Sequence, residues 1–187
     1  MSNDTRMGGI ANFLARTTVM PGREDWNGSQ YALMIDMCGA AKSYLGRQIT
    51  KQWLRHVGFE AEEMADDDER GAGRPGLSAL VLSRNRLAIC KMSMKRANRT
   101  VLFQSLSTNP DYQWDGALLL GLAPKEGYLW YVPRKVLMAH TAPQHSKDSR
   151  CLVFRLDNIP DWLHPYGGRL DWAVSQWTQR KGLDDAV

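Results

Sequence analysis

The feature that most constrains the fold is a pair of apolar segments on either side of a two-residue turn. The segments are LSALVLS, residues 77–83, and RLAICKMSM, residues 86–94. Two apolar runs of this length, joined by two polar residues, predict a β-hairpin. Side chains alternate along a strand, so Lys91 shares one face of the second arm with Leu87 and Ile89. Burying an ammonium is costly unless it is compensated, so this lysine requires a role.

A helical pattern precedes the hairpin. Apolar residues recur at spacings of three and four over 33–53, which predicts a helix that Ser29 caps. Gly58 is placed to end this helix as its C′ residue. Gly39 and Gly46 interrupt the pattern and predict a division into two helices.

Strand patterns dominate the rest of the chain. Short helices are predicted at 134–140 and, as the last element, at 168–182. This order predicts an α/β fold with a mixed central sheet, in one domain that spans 1–187 and carries an N-terminal arm at 1–28. The strand candidates are 57–64, 77–83, 86–94, 101–107, 114–123, 128–133 and 151–156.

Composition excludes several classes of function. The chain has 24 Lys and Arg against 20 Asp and Glu, and the resulting net charge of +4 permits nucleic acid as a partner. The three cysteines form no CxxC pair, so neither a disulfide framework nor a zinc site is indicated. The chain has no P-loop and no GxGxxG after a strand, so we expect no small-molecule cofactor. It also has no apolar run near the length of a membrane span and no signal peptide, which predicts a cytoplasmic protein without a membrane partner.

The region from Tyr44 to Pro133 resembles the PD-(D/E)xK nuclease superfamily, which includes many restriction endonucleases. The resemblance rests on the helix ending LRHVGFEAEEM, the hairpin PGLSALVLSRNRLAICKMS and the later segment YQWDGALLLGLAPKEGYLWYVP. It implies a restriction-endonuclease-like sheet flanked by helices, DNA as substrate and Mg²⁺ as cofactor. Many relatives act as dimers that cut both strands, so the resemblance also allows a homodimer.

The resemblance makes Lys91 the candidate catalytic residue, but the acids expected beside it are replaced. Family members have Asp where this chain has Ser78, and an acid or Gln where it has Ile89. Carboxylates elsewhere are therefore the candidate metal ligands, because Mg²⁺ prefers oxygen ligands. These candidates are Glu63, Asp68, Glu69 and Asp115.

Several of the candidate site residues have an alternative structural explanation. The acidic run at 66–69 is also typical of a solvated loop, and Asp115 is also placed to accept a hydrogen bond at the start of a strand. Lys91 is also compatible with a snorkelling side chain on an edge strand, although the basic residues that follow it favour a phosphate-facing role.

Basic residues around the hairpin predict a surface that binds DNA phosphates by charge alone. Scattered solubilising charges are the alternative interpretation. The candidate nucleic-acid-binding residues are Arg74, Arg84, Lys95, Arg96 and Arg99.

Three functions follow from these patterns. The first is a metal-dependent endodeoxyribonuclease that cleaves phosphodiesters through Lys91 and displaced carboxylates. The second is a catalytically inactive relative that binds DNA or a protein partner through its basic hairpin. The third is an unrelated α/β interaction protein.

Overall fold

The computed structural model of the chain describes residues 23–64, 78–96, 98–109, 111–144 and 148–170. These residues form a mixed α/β structure with more strand than helix, in agreement with the predicted class. The sequence predictions for 65–77 and for most of the C-terminal helix lie outside the described residues. The elements are α1 (Gly39–His56), β1 (Ala61–Glu63), β2 (Ala79–Leu82), β3 (Arg86–Met94), β4 (Thr100–Ser107), β5 (Gly116–Leu122), β6 (Gly127–Pro133), α2 (Arg134–Ala139), β7 (Ala142–Pro143), β8 (Ser149–Arg155) and β9 (Gly167–Arg169), with 3₁₀ helices at Arg23–Trp26, Ala32–Met34, Ser83–Asn85 and Asp161–Tyr166.

The strands are divided between two sheets. The larger sheet has the order β1-β2-β3-β5-β6-β9, and the smaller sheet has the order β4-β8-β7. In the larger sheet β3 and β5 run parallel, whereas the other neighbours are antiparallel. The predicted mixed central sheet is therefore confirmed.

The predicted hairpin is the pair β2 and β3. Ala79 lies opposite Ile89, and the pairing continues to the turn at Ser83–Asn85. Both Arg84 and Asn85 in that turn have a φ of 59°, in the left-handed region. Positive φ at two successive residues matches the twist that short hairpin connections require.

The larger sheet is the middle layer of three. Helix α1 covers one of its faces, where Leu80, Cys90 and Leu118 lie in a core with Leu54. The smaller sheet covers the other face, where Ile89 and Trp130 are buried with residues of β4 and β8. The predicted sheet was flanked by helices. In the structure a helix covers one face of the larger sheet, as predicted, whereas the main layer on the opposite face is a second sheet.

Helix α1 lies close to β3 because of a glycine in its second half. The helix begins at Gly39 and runs without a break through Gly46, so the predicted division into two helices was wrong. Gly58 follows the end of the helix with a φ of 91°. A Cβ atom at Gly46 would lie 2.8 Å from the Cβ and Sδ atoms of Met92. The small residue therefore serves the approach of helix and sheet.

Two segments differ from their predicted form. Trp26 is buried in the α1-side core, so the end of the expected N-terminal arm packs with the domain. Gly167–Arg169 is strand β9 and pairs with β6, although the sequence pattern predicted the start of a helix at 168. Gly167 has a φ of 144°, and a Cβ there would overlap the Leu129 carbonyl oxygen, so the pairing depends on the absence of a side chain at this position.

Candidate functional site

Lys91 lies in the second half of β3, on the face that carries the smaller sheet. Its neighbour across the parallel pairing is Leu119, which is fully buried, and Leu87 and Ile89 precede it on the same face. The side chain is half-buried, and within the described part of the chain its ammonium forms no ion pair. Desolvation lowers the pKa of Lys91, because burial disfavours the charged form.

The two sheets meet close to Lys91. Two residues further along the same face, the Ser93 hydroxyl accepts a hydrogen bond of 2.7 Å from the Leu102 N–H of β4. Ser93 is buried, so this bond joins the two sheets inside the structure, where a backbone donor needs a partner. Lys91 thus occupies the junction between the sheets rather than an open surface.

Ser78 lies on the opposite face of the sheet from Lys91. Its carbonyl oxygen accepts the Cys90 N–H at 2.5 Å, so Ser78 is opposite Cys90, one residue out of phase with Lys91. Its hydroxyl accepts a weak hydrogen bond of 3.4 Å from Nη1 of Arg47 in α1. Ile89 is buried on the Lys91 face. The positions of the two missing acids therefore do not share one face in this structure.

Glu63 also lies on the α1 face, away from Lys91. Its carboxylate accepts a hydrogen bond of 2.9 Å from Gln48 and forms ion pairs of 3.2 Å with Arg47 and 3.4 Å with Lys51. The hydrogen bond from Gln48 is the largest cause that lowers the pKa of Glu63, followed by the bond from Lys51 and the charge of Arg47. These contacts join β1 to α1, which is a sufficient structural reason for the carboxylate.

Asp115 fastens the start of β5 to the start of β3. Its Oδ2 accepts the Leu87 N–H at 2.7 Å, and its own N–H donates to the Leu87 carbonyl oxygen at 2.8 Å. The backbone distance from Leu87 to Lys91 along β3 is about 13 Å, from a rise of about 3.3 Å per residue. The structure therefore does not bring Asp115 next to Lys91.

The described carboxylate candidates for a Mg²⁺ site, Glu63 and Asp115, lie apart from each other. Among the described residues there is no group of three or more His, Cys, Asp or Glu side chains that would hold a metal. Glu63 is already surrounded by cations, and Asp115 is at another part of the sheet. The remaining candidates, Asp68 and Glu69, lie outside the described residues.

The predicted basic residues lie at two ends of β3. Arg84 is in the turn before the strand, whereas Lys95, Arg96 and Arg99 follow its last residue. The eight residue steps of β3 span about 26 Å, so Arg84 is not part of the same surface as the other three. Arg74 is outside the described residues.

Three neighbouring backbone segments beyond the end of β3 carry five basic residues, which we call the basic rim. They are Lys95, Arg96, Arg99, Lys125 and Arg155.

Backbone hydrogen bonds hold these segments together. The Lys95 N–H donates to the Leu122 carbonyl oxygen at 2.7 Å, just before the turn that carries Lys125. The Arg96 N–H donates to Thr100 at 2.9 Å, and the Leu156 N–H donates to Arg99 at 3.1 Å.

Sequence reasoning missed two members of the basic rim. Lys125 reaches it because β5 runs parallel to β3, so that Met94 and Leu122 end side by side. Arg155 reaches it because β8 pairs with β4, which places Arg155 opposite Thr100. Both pairings join segments far apart in the chain, and no local pattern in the sequence indicates them.

In the described residues, no helix has both the length and the apolar character needed to cross a membrane. Comparison with protein-family models, with curated proteins and with solved structures finds no match to this chain.

Proposed function

We propose that this chain is a DNA-binding protein and that the basic rim contacts the phosphate backbone. The observation that carries the proposal is that backbone contacts hold three separate parts of the chain, which carry five cationic residues, next to one another beyond the end of β3. Four of the five side chains are exposed, and Lys95 is half-buried. Cations in such a cluster displace the counterions condensed on DNA, and that release favours binding whatever the base sequence.

A restriction-endonuclease-like core is part of the proposal. The segments that carry the resemblance are present as α1, the β2–β3 hairpin and the strands β5 and β6, and β3 holds Lys91 away from its ends. Ser78 and Lys91 lie on opposite faces of the larger sheet, which disfavours the catalytic arrangement that the resemblance implies. We therefore propose DNA binding as the main function, ahead of DNA cleavage.

The binding proposal predicts a specific effect of Lys125→Ala. The test measures the anisotropy of a fluorescent DNA duplex across a range of salt concentrations. Loss of one phosphate contact is expected to weaken binding several-fold and to reduce the slope of log K against log salt by about 0.9.

The matched control is Lys135→Ala, because Lys135 is also exposed but lies on α2, beyond the opposite end of β5. This control is expected to change affinity by less than twofold. Equal losses in the two variants, or affinity that does not depend on salt, would contradict a phosphate-binding rim.

Metal-dependent cleavage of DNA is a second candidate function. One observation favours it: Lys91 is half-buried and, within the described part, has no counter-ion. Its acids would have to include Asp68 and Glu69. The test is nicking of supercoiled plasmid with Mg²⁺ or Mn²⁺, with Lys91→Ala beside Lys125→Ala. Cleavage that Lys91→Ala abolishes and Lys125→Ala only slows would support it, and absence of cleavage in the parent protein would remove it.

A further inference from the structure

Two arginines of the basic rim converge on one carboxylate. Nε and Nη2 of Arg155 donate to the two oxygens of Asp157 at 2.9 and 2.8 Å. Arg99, which precedes β4, donates from Nη1 to the Oδ2 atom of Asp157 at 3.1 Å. Three N–H donors from two separate segments thus point at a single anionic group.

We infer that Arg99 and Arg155 form a phosphate-binding subsite, and that Asp157 occupies it in the free protein as an internal counter-ion. The inference rests on the proposed function, since it assigns a role within the same rim. It adds Asp157 to the site and gives a specific role to Arg155, and the sequence singled out neither residue. It also gives the rim a built-in competitor for its ligand.

The donor geometry suits a phosphate group. A guanidinium is planar and presents parallel N–H groups, and the fork that grips both carboxylate oxygens grips two phosphate oxygens equally well. The second guanidinium, that of Arg99, supplies a further N–H donor for the same anion.

The backbone holds the two arginines in place. The Leu156 N–H donates to the Arg99 carbonyl oxygen, and the Asn158 N–H donates to that of Arg155, each at 3.1 Å. The backbone segments that carry the two guanidiniums are therefore held side by side independently of the carboxylate.

The contact with Asp157 is open to competition. The side chains of Arg99 and Arg155 are 64% and 55% exposed, and that of Asp157 is 34% exposed. Ion pairs in water are weak because the solvent screens them. The hydrogen bonds from Arg155 and then Arg99 hold the pKa of Asp157 well below its usual range, so the carboxylate remains charged in any ordinary binding buffer. A DNA phosphate arriving at the rim therefore meets a solvent-accessible anion of the same sign, with which it can compete for the two arginines.

The test is the variant Asp157→Asn, which keeps the shape of the side chain and removes its charge. Anisotropy with a DNA duplex at about 0.15 M salt is expected to show binding that is roughly three- to tenfold tighter, with a salt slope steeper by about 0.9 to 1.8. These values correspond to one or two additional phosphate contacts.

The charge-matched control is Glu126→Gln. Glu126 lies in the same β5–β6 turn as Lys125 and pairs with Arg169 at 3.2 Å. The substitution therefore removes one negative charge near the rim without freeing the pair of Arg99 and Arg155. Its gain is expected to stay below about twofold, which is the effect of charge alone. Adding Arg155→Lys to Asp157→Asn keeps the total charge but removes the fork, and it should cancel most of the gain. A gain in Asp157→Asn no larger than that in Glu126→Gln would overturn the inference.

A second measurement separates this inference from the proposed function. The Nε–H resonances of Arg99 and Arg155 are followed by NMR while inorganic pyrophosphate is added to Asp157→Asn. Shifts of both resonances at lower pyrophosphate concentration than in the parent support the subsite, even if no DNA binds and the proposed function fails. DNA binding that is unchanged in Asp157→Asn, together with unmoved resonances, refutes the subsite and leaves the proposed function standing.

Discussion

Single residues show how the same type of side chain takes different roles in one sheet. Glu63 and Asp115 were both candidate metal ligands, yet one joins β1 to α1 and the other closes the start of β3. Lys91 differs from both, since the described part of the chain offers it no acid. Its burial should therefore weaken the fold, and the effect should depend on pH.

Lys91→Met is expected to stabilise the protein at pH 7 by on the order of 1 kcal/mol, because it removes an uncompensated ammonium. The folded-state pKa of Lys91 is lowered, so the folded protein binds fewer protons than the unfolded chain. Its destabilising effect is complete below the lowered pKa and disappears as the pH rises toward the ordinary lysine pKa of about 10.4. Urea unfolding at pH 7 and at pH 10 should show a gain that shrinks with pH.

The control for this experiment is Lys125→Met, an exposed lysine for which we expect little change in the free energy of unfolding at either pH. If Lys91→Met is destabilising at pH 7, or if its effect is the same at both pH values, Lys91 has a compensating partner or reaches bulk water.

At the scale of elements, the contact between α1 and β3 depends on the absence of one side chain. Gly46 is buried against Met92, and any Cβ there would overlap it. In an exposed helix, replacing Gly by Ala favours the helix by about 1 kcal/mol. Here the overlap acts against that preference, and overpacking in a core costs about 1 to 3 kcal/mol.

Gly46→Ala is therefore expected to lower the free energy of unfolding, whereas Gly39→Ala, at the open start of the same helix, is expected to be neutral or stabilising. Urea denaturation followed by far-UV circular dichroism compares the two. Adding Met92→Ala to Gly46→Ala should restore part of the loss. If Gly46→Ala is as harmless as Gly39→Ala, α1 and β3 do not pack closely at Gly46.

At the scale of the whole molecule, the two sheets share one core. Trp130 of the larger sheet meets Phe154 of the smaller sheet edge-on, with ring centroids 5.4 Å apart, and Phe103 lies 6.0 Å from Phe154. Neither sheet can lose this contact without exposing apolar surface of the other. The described residues should therefore unfold together, as the prediction of one domain requires.

Phe103→Leu tests this cooperativity. It shortens a fully buried side chain in the smaller sheet and should cost on the order of 1 to 2 kcal/mol. Tryptophan fluorescence and far-UV circular dichroism are expected to give the same urea midpoint in the parent, and to shift equally in the variant. Two separate midpoints would indicate that the sheets unfold independently.

The sequence predicted well what depends on local pattern. The hairpin, the strands β5 and β6, and the long helix follow from apolar periodicity and turn residues, which short stretches of chain specify by themselves. The predicted break at Gly46 was wrong because a glycine in a helical pattern is compatible either with a break or with a point of close packing. Only the contact with Met92, which lies far away in the sequence, distinguishes the two. Strand β9 was missed because Gly167 and Gly168 carry no apolar signal and pair through the backbone.

The candidate site was harder to predict because it depends on register and on distant pairings. Whether Ser78 and Lys91 share a face is decided by which residues of β2 and β3 lie opposite each other, and a shift by one residue reverses the answer. Arg155 joins Arg99 only through the pairing of β8 with β4. Asp68, Glu69 and Arg74 stay predictions.

The parallel neighbours β3 and β5 have a consequence for how the chain assembles. Between them the polypeptide leaves the larger sheet, forms β4 in the other sheet, and returns. Closing that long excursion has an entropic cost that only later contacts offset, so we expect the hairpin to form early and both sheets to be completed in one slower, concerted step. Pulse-labelled hydrogen exchange during refolding should show the amides of Phe103 and Leu118 gaining protection at the same rate. Protection of Leu118 well before Phe103 would mean that the larger sheet is completed first.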